Sequence, residues 1–112
     1  MADDRFLEAL TALERTLADN QKRTSLIKTR IAQLRRLRSQ GAPYAELVAN
    51  SDGPLIVQLL TESSTALDIS GASVRRAEAH ALYTEGLTMD QIAEHFGVTR
   101  QRVSALLRKA RD

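Results

Sequence analysis

The sequence predicts an all-α protein in which a long N-terminal coiled-coil helix precedes a small helical domain. Three observations support this prediction. Seven of the ten positions in an alternating four-three spacing from Phe6 to Arg38 are apolar, and no Gly or Pro intervenes. The only two prolines, Pro43 and Pro54, stand where the first turn of a helix tolerates them. Capping residues then divide the last forty positions into short helical segments.

The first helix has the heptad pattern of a coiled coil. Its a and d positions are Phe6, Leu10, Leu13, Leu17, Asn20, Thr24, Ile27, Ile31, Leu34 and Arg38. A repeat of 3.5 residues sustained over this length favours winding around another helix, so we predict a homodimer through residues 6–38. The alternative is that the stripe packs on the rest of its own chain.

Charge along the chain bears on the orientation of such a dimer. Residues 1–20 have a net charge of -3, whereas residues 21–40 carry seven bases and no acid. An antiparallel pair would lay the acidic half of one helix along the basic half of the other, which favours that orientation. The preference is weak, because each exposed ion pair contributes little free energy. In a parallel pair, DNA phosphates could neutralise the basic segments instead.

The middle of the chain is expected to fill space. Residues 44–48 predict a short helix, the turn 50–53 follows, and Pro54 opens another helix through about Leu60. Residues 55–60 are apolar nearly all round, which predicts burial between neighbours. Residues 61–73 are rich in Ser and Thr and contain Gly71, typical of a helix tail with a loop or of a hinge. We therefore divide the chain into a dimerisation helix (1–40), a linking segment (41–70) and a C-terminal domain (71–112).

The C-terminal domain contains three predicted helices. The first spans about residues 72–85 and ends at Gly86, and the second opens at the capping box Thr88–Gln91 and ends at Gly97. Thr99 caps the third helix, which runs to Lys109 or Ala110.

Apolar spacing joins the last two helices. Ala93 is small where the helices cross, and Gly97 permits a sharp turn between them. The residues predicted to hold them together are Ile92, Phe96, Val98, Val103 and Leu106. This pattern predicts a helix-turn-helix with residues 99–110 as the recognition helix.

The segment GLTMDQIAEHFGVTRQRVSALLRK resembles the helix-turn-helix of region 4 of primary sigma factors. The preceding RRAEAHALYTEGLT is similar to the DNA-binding tails of resolvase-type serine recombinases. Both resemblances imply binding to double-stranded DNA, and together they cover about 40 residues. Gln101 and Ala105 stand where sigma factors have an acidic residue and Gln, which argues against recognition of the same promoter element.

The outward face of the recognition helix carries the chemistry of base and phosphate recognition. Arg bonds bidentately to guanine and Gln to adenine in the major groove. We therefore predict base contacts by Arg100, Gln101, Ser104 and Ala105. Phosphate contacts are expected from Thr99, Arg102, Arg108, Lys109 and Arg111. The alternative is a solvated basic face on a helix that only packs.

Several classes of function are excluded or disfavoured. Without Cys there is no disulfide framework, thiolate nucleophile or Cys-containing zinc site. His80 and His95 have no carboxylate and histidine set at metal-binding spacing, and no catalytic triad can be assembled. We expect no enzyme, no cofactor and no metal. Acids in the first twenty residues and interrupted apolar runs predict neither a signal peptide nor a membrane span, hence a cytoplasmic protein at the nucleoid.

The sequence thus predicts a dimeric DNA-binding protein, either a transcriptional regulator or a nucleoid-associated protein. One alternative is a protein-interaction module, in which the coiled coil and a non-reading helix-turn-helix bind RNA polymerase or a sigma factor. A further alternative is the DNA-binding subunit of a recombination or phage system.

Overall fold

A computed structural model describes residues 4–49 and 55–109, with the side chain of Lys109 left out. The helices are α1 (Arg5–Ser39), α2 (Tyr44–Ala49), α3 (Ile56–Thr84), α4 (Met89–Phe96) and α5 (Arg100–Lys109). No strand occurs within these ranges. The all-α prediction is confirmed, and so is the long first helix, which has 35 residues. The predicted turn 50–53 and Pro54 lie outside the described residues.

The chain divides into two compact units. The central unit is Arg15–Leu67, and the terminal unit comprises the described residues of Met1–Glu14 and Asp68–Asp112. The predicted boundary at residue 70 falls inside α3 and coincides with no helix end. Among the described helices, none combines the length and apolarity that a membrane span requires.

Within the central unit, α1 packs against α3 of its own chain. The Asn20 side-chain amide donates a hydrogen bond to the Ser63 carbonyl oxygen at 3.2 Å. One turn further along α1, the Arg23 Nε lies 3.5 Å from a carboxylate oxygen of Glu62. At these positions α1 therefore follows the alternative in which the stripe packs on its own chain.

The segment 61–73 is helical throughout, so the prediction of a loop or hinge there is wrong. The helices predicted at 54–60 and 72–85 correspond, over the residues Ile56–Thr84, to the single helix α3. The Thr61 hydroxyl is satisfied inside the helix by donating to the Val57 carbonyl oxygen at 2.9 Å. Ser70 is buried. Tertiary packing therefore overrides the weak helix propensity of this Ser- and Thr-rich stretch.

The first turns of α3 are buried on one side only. Leu59 is buried, whereas Val57 and Leu60 are exposed. The prediction that residues 55–60 are enclosed all round is wrong for these two side chains. A helix that packs on a single neighbouring surface shields only a stripe of its circumference.

The core of the terminal unit joins the C-terminal part of α3 to α4 and α5. Ala79 of α3, Ile92 of α4 and Val103 of α5 are fully buried members of one apolar cluster. The remaining buried members of this core are Ala93, Leu106 and Leu107, and partly buried Leu82, Leu87, Met89 and Phe96 surround it. The predicted joining positions are confirmed for Ile92, Phe96, Val103 and Leu106.

Local caps set both ends of α4 and the start of α5, as predicted. Thr88 and Gln91 form a reciprocal capping box, with the Gln91 amide donating to Thr88 Oγ1 at 3.1 Å and the Thr88 amide to Gln91 Oε1 at 2.9 Å. Gly97 ends α4 in the left-handed region at φ 68°. The Arg102 amide donates to Thr99 Oγ1 at 3.1 Å, which caps α5.

Val98 is the exception among the predicted joining residues, because its side chain is 40% exposed. Its amide donates to the Ala93 carbonyl oxygen at 3.0 Å and thus completes the turn after α4. The turn geometry uses the backbone of Val98 and leaves the side chain largely at the surface.

Two glycine substitutions should have opposite effects on stability. Gly97→Ala should lower the free energy of unfolding by about 1–2 kcal/mol, because its φ of +68° disfavours any side chain although no atom lies within 4 Å of the added Cβ. Gly71→Ala, inside α3, should raise it by about 0.5–1 kcal/mol, since the added Cβ meets only the flexible end of Arg75 at 3.4 Å. Urea unfolding measures both; a stabilising Gly97→Ala would contradict the left-handed turn.

Candidate nucleic-acid interface

Helix α5 presents opposite chemistries on its two sides. Val103, Leu106 and Leu107 are buried against α3 and α4. The first turn of α5 exposes Arg100 and Gln101, the two side chains predicted to read bases. Burial of one side thus orients the polar side outward, as the sequence predicted for these two residues.

Ser104 and Ala105 lie half-buried on the next turn. The Arg108 guanidinium donates a hydrogen bond to Ser104 Oγ at 3.1 Å. This bond brings a residue predicted to contact phosphate next to one predicted to contact bases. Ser104 therefore has its hydrogen-bond partner, Arg108, on the same helix. The side chain of Ala105 is small, so a base edge could approach the helix closely at that position.

Asp90 was missed in the sequence analysis and contacts the predicted reading surface. Its carboxylate oxygen Oδ2 lies 3.7 Å from Arg100 Nη1, and both side chains are exposed. A pair this exposed contributes less than about 1 kcal/mol, so Arg100 can exchange Asp90 for another partner at small cost. Only the fold joins the two residues, since they lie on different helices ten positions apart.

The residues predicted to contact phosphates differ in how far the structure describes them. Arg102 and Arg108 are exposed on α5, and Thr99 is exposed at its N-terminus with its hydroxyl oxygen engaged in the cap. The side chain of Lys109 and the whole of Arg111 lie outside the described residues. The segment Arg100–Lys109 contains four bases and no acid, which gives this surface a positive potential.

The described residues offer no metal centre. No three His, Asp or Glu side chains among them are arranged to hold an ion. His80 is half-buried on α3, and His95 is exposed in the last turn of α4.

Residues 80–112 match the family model for Sigma-70, region 4. The match spans the end of α3 and all of α4 and α5, and it confirms the resemblance that the sequence predicted. No curated protein and no solved structure matches the chain. Region 4 of sigma-70 factors is a DNA-binding helix-turn-helix, and residues 80–112 of this chain are similar to it.

Asp90→Asn should strengthen binding to duplex DNA about two- to fivefold near 0.1 M salt, because it removes a carboxylate that competes with DNA for Arg100. Fluorescence anisotropy with a labelled duplex measures the change. Glu94→Gln is the matched control, since it removes one charge from an exposed position on the same helix, and Glu94 forms no ion pair with the described part of α5. Weaker binding by Asp90→Asn would instead mean that Asp90 positions Arg100 on the bases.

Proposed function

We propose that the protein is a dimeric regulator of transcription or a nucleoid-associated protein that inserts α5 into the major groove of DNA. The exposed polar face of α5, within a segment that matches sigma region 4, is the observation that carries this proposal. Such a protein would act at the nucleoid in the cytoplasm.

In this proposal, residues in the first two turns of α5 contact the bases. Arg100 has the fork geometry for the O6 and N7 atoms of guanine, and Gln101 can bond the N6 and N7 atoms of adenine. Both lie near the N-terminal end of the helix, where recognition helices contact bases. Ser104 and Ala105 follow one turn later, where a hydroxyl or a methyl group can touch a base edge or a thymine methyl.

Phosphate contacts would hold the register without reading sequence. Arg102 and Arg108 are exposed on α5, and Thr99 stands at its N-terminus. Lys109 and Arg111 extend the same basic segment and complete the predicted phosphate set.

Dimerisation through residues 6–38 would present two recognition helices and make an inverted repeat the target. Part of α1 already packs on α3, so a partner must use what remains exposed. Leu17, an a position of the heptad pattern, is 48% exposed. This exposed apolar side chain supports pairing of α1 with a second copy, while the other apolar a and d positions are half-buried.

Arg100→Ala and Gln101→Ala should each weaken specific binding by about 1–3 kcal/mol and relax the preference at one base pair. Fragments selected from random genomic DNA at two salt concentrations supply the target duplex. By contrast, Arg102→Ala should weaken binding to all duplexes similarly and lower the salt slope by about one.

The outcome of these variants also separates the proposal from its alternative. Unchanged DNA binding by Arg100→Ala and Gln101→Ala, together with capture of purified RNA polymerase or a sigma factor by the intact protein, would replace DNA reading with a protein-interaction role.

Leu17→Glu should shift the protein from dimer toward monomer by at least about tenfold in dissociation constant, because it buries a charge in the proposed seam. Sedimentation equilibrium measures the shift. Leu26→Glu is the matched control, since Leu26 is 54% exposed on the same helix but outside the a and d positions. Equal effects of the two variants, or a wild-type monomer at all concentrations, would refute a dimer formed through this seam.

A further inference from the structure

The central unit contains an apolar groove of about 710 Å³ that the helix-turn-helix does not use. The C-terminal part of α1, α2 and the start of α3 line this groove. Its apolar surface includes Leu34, Leu47, Leu55 and Ile56. All described lining residues belong to the central unit.

Three large side chains at this groove remain uncovered by the described chain. Tyr44, Val48 and Val57 are 69%, 61% and 65% exposed, respectively. Contiguous apolar surface of this kind on a small protein marks a binding surface, because leaving it in water costs free energy.

The rim of the groove is cationic. Arg30, Arg35 and Arg38 line it, and none of the described lining residues is acidic. The Arg38 guanidinium is held by the Ala42 carbonyl oxygen at 3.0 Å and lies 4.0 Å from the centre of the Tyr44 ring. No carboxylate among the described residues forms an ion pair with these three arginines.

We propose that this groove binds an amphipathic helix of a partner protein whose apolar stripe is flanked by acidic residues. The apolar floor would take side chains at positions i, i+3, i+4 and i+7, as in other helix-in-groove complexes. Flanking carboxylates would pair with the arginine rim, which speeds association and sets orientation.

Charge and exposure favour this occupant over others. Phosphate groups of DNA could bind the arginine rim, but they would leave the apolar floor of the groove exposed to water. A small ligand inside the groove would leave much of the outward-facing Tyr44, Val48 and Val57 in water. Two copies pairing groove to groove would bring arginine rims together, because a twofold contact sets identical surfaces against each other.

The chain's own acidic segment is also a poor occupant in trans. In the acidic first part of α1, Ala9 is buried in the terminal unit, and Phe6 and Leu10 are half-buried. Phe6, Ala9 and Leu10 are therefore partly or fully engaged, which leaves only Leu7, 56% exposed, open between Arg5 and Leu10. A separate protein that supplies both the stripe and the acids satisfies floor and rim together.

The inference goes beyond the proposed function, because it assigns a protein-binding role to residues that do not contact DNA in that proposal. It predicts a DNA-bound protein that holds a second protein through its central unit. The two roles can fail independently.

The test uses the full chain and a fluorescein-labelled synthetic peptide of about 18 residues, long enough to form a helix on binding. Leu occupies the i, i+3, i+4 and i+7 positions, and Glu flanks the stripe. A second peptide replaces every Glu by Lys, and a third replaces every Leu by Ser. Fluorescence anisotropy should show binding of the first peptide only, weakening as salt rises.

Two pairs of matched variants locate the site. Val57→Gln should weaken peptide binding at least about tenfold, whereas Ile69→Gln, an exposed apolar position on the same helix outside the groove, should change it less than about twofold. Arg35→Glu should weaken it about fivefold or more. Arg36→Glu, an adjacent exposed position that does not line the groove, should have a smaller effect.

Arg100→Ala should weaken specific DNA binding while leaving peptide affinity unchanged, and Val57→Gln should weaken peptide binding while leaving DNA affinity unchanged. Equal binding of the Lys peptide, no binding of the Glu peptide, or equal effects of the matched variants would overturn the proposal. Sedimentation supplies a further test. If the protein self-associates, if Val57→Gln abolishes this self-association and if no peptide blocks it, the groove binds a second copy and the proposal is overturned.

Discussion

The crossing of α4 over α5 is the constraint on which the candidate interface depends. Ile92 and Val103 are fully buried at this crossing, and the fully buried Ala79 closes it from α3. Because close-packed interiors tolerate little change in volume, the crossing admits one rotational setting of α5. The side of α5 that faces outward is therefore decided by the apolar side that faces inward.

The polar contacts on the outward side of α5 are weak because the side chains that form them are exposed to solvent. Arg100 shares an exposed ion pair with Asp90, and Arg108 donates to Ser104 within its own helix. Such contacts limit the rotamers of long side chains while remaining cheap to exchange for a base edge or phosphate. A rigid apolar core beneath exchangeable polar partners suits an interface that must both hold its shape and bind a charged polymer.

In the central unit, the middle of α1 packs on α3 of its own chain. Asn20 bonds to Ser63, and Arg23 pairs with Glu62, so polar positions in the middle of α1 meet polar positions on α3. Towards its C-terminal end α1 is instead flanked by the apolar groove with its arginine rim. The two units thus expose different chemistry, cationic and hydrogen-bonding on α5 but apolar and cationic in the groove.

Local interactions made much of this protein predictable from its sequence. The capping box at Thr88, the left-handed turn at Gly97 and the cap at Thr99 each depend on residues within four positions, and the inward side of α5 follows from helical periodicity. The continuity of α3, the outward side chain of Val98 and the pairing of Asp90 with Arg100 depended on contacts that the tertiary structure creates. A Ser- and Thr-rich stretch is helical or not according to what packs on it, and two exposed charges ten residues apart meet only when a core turns their helices together.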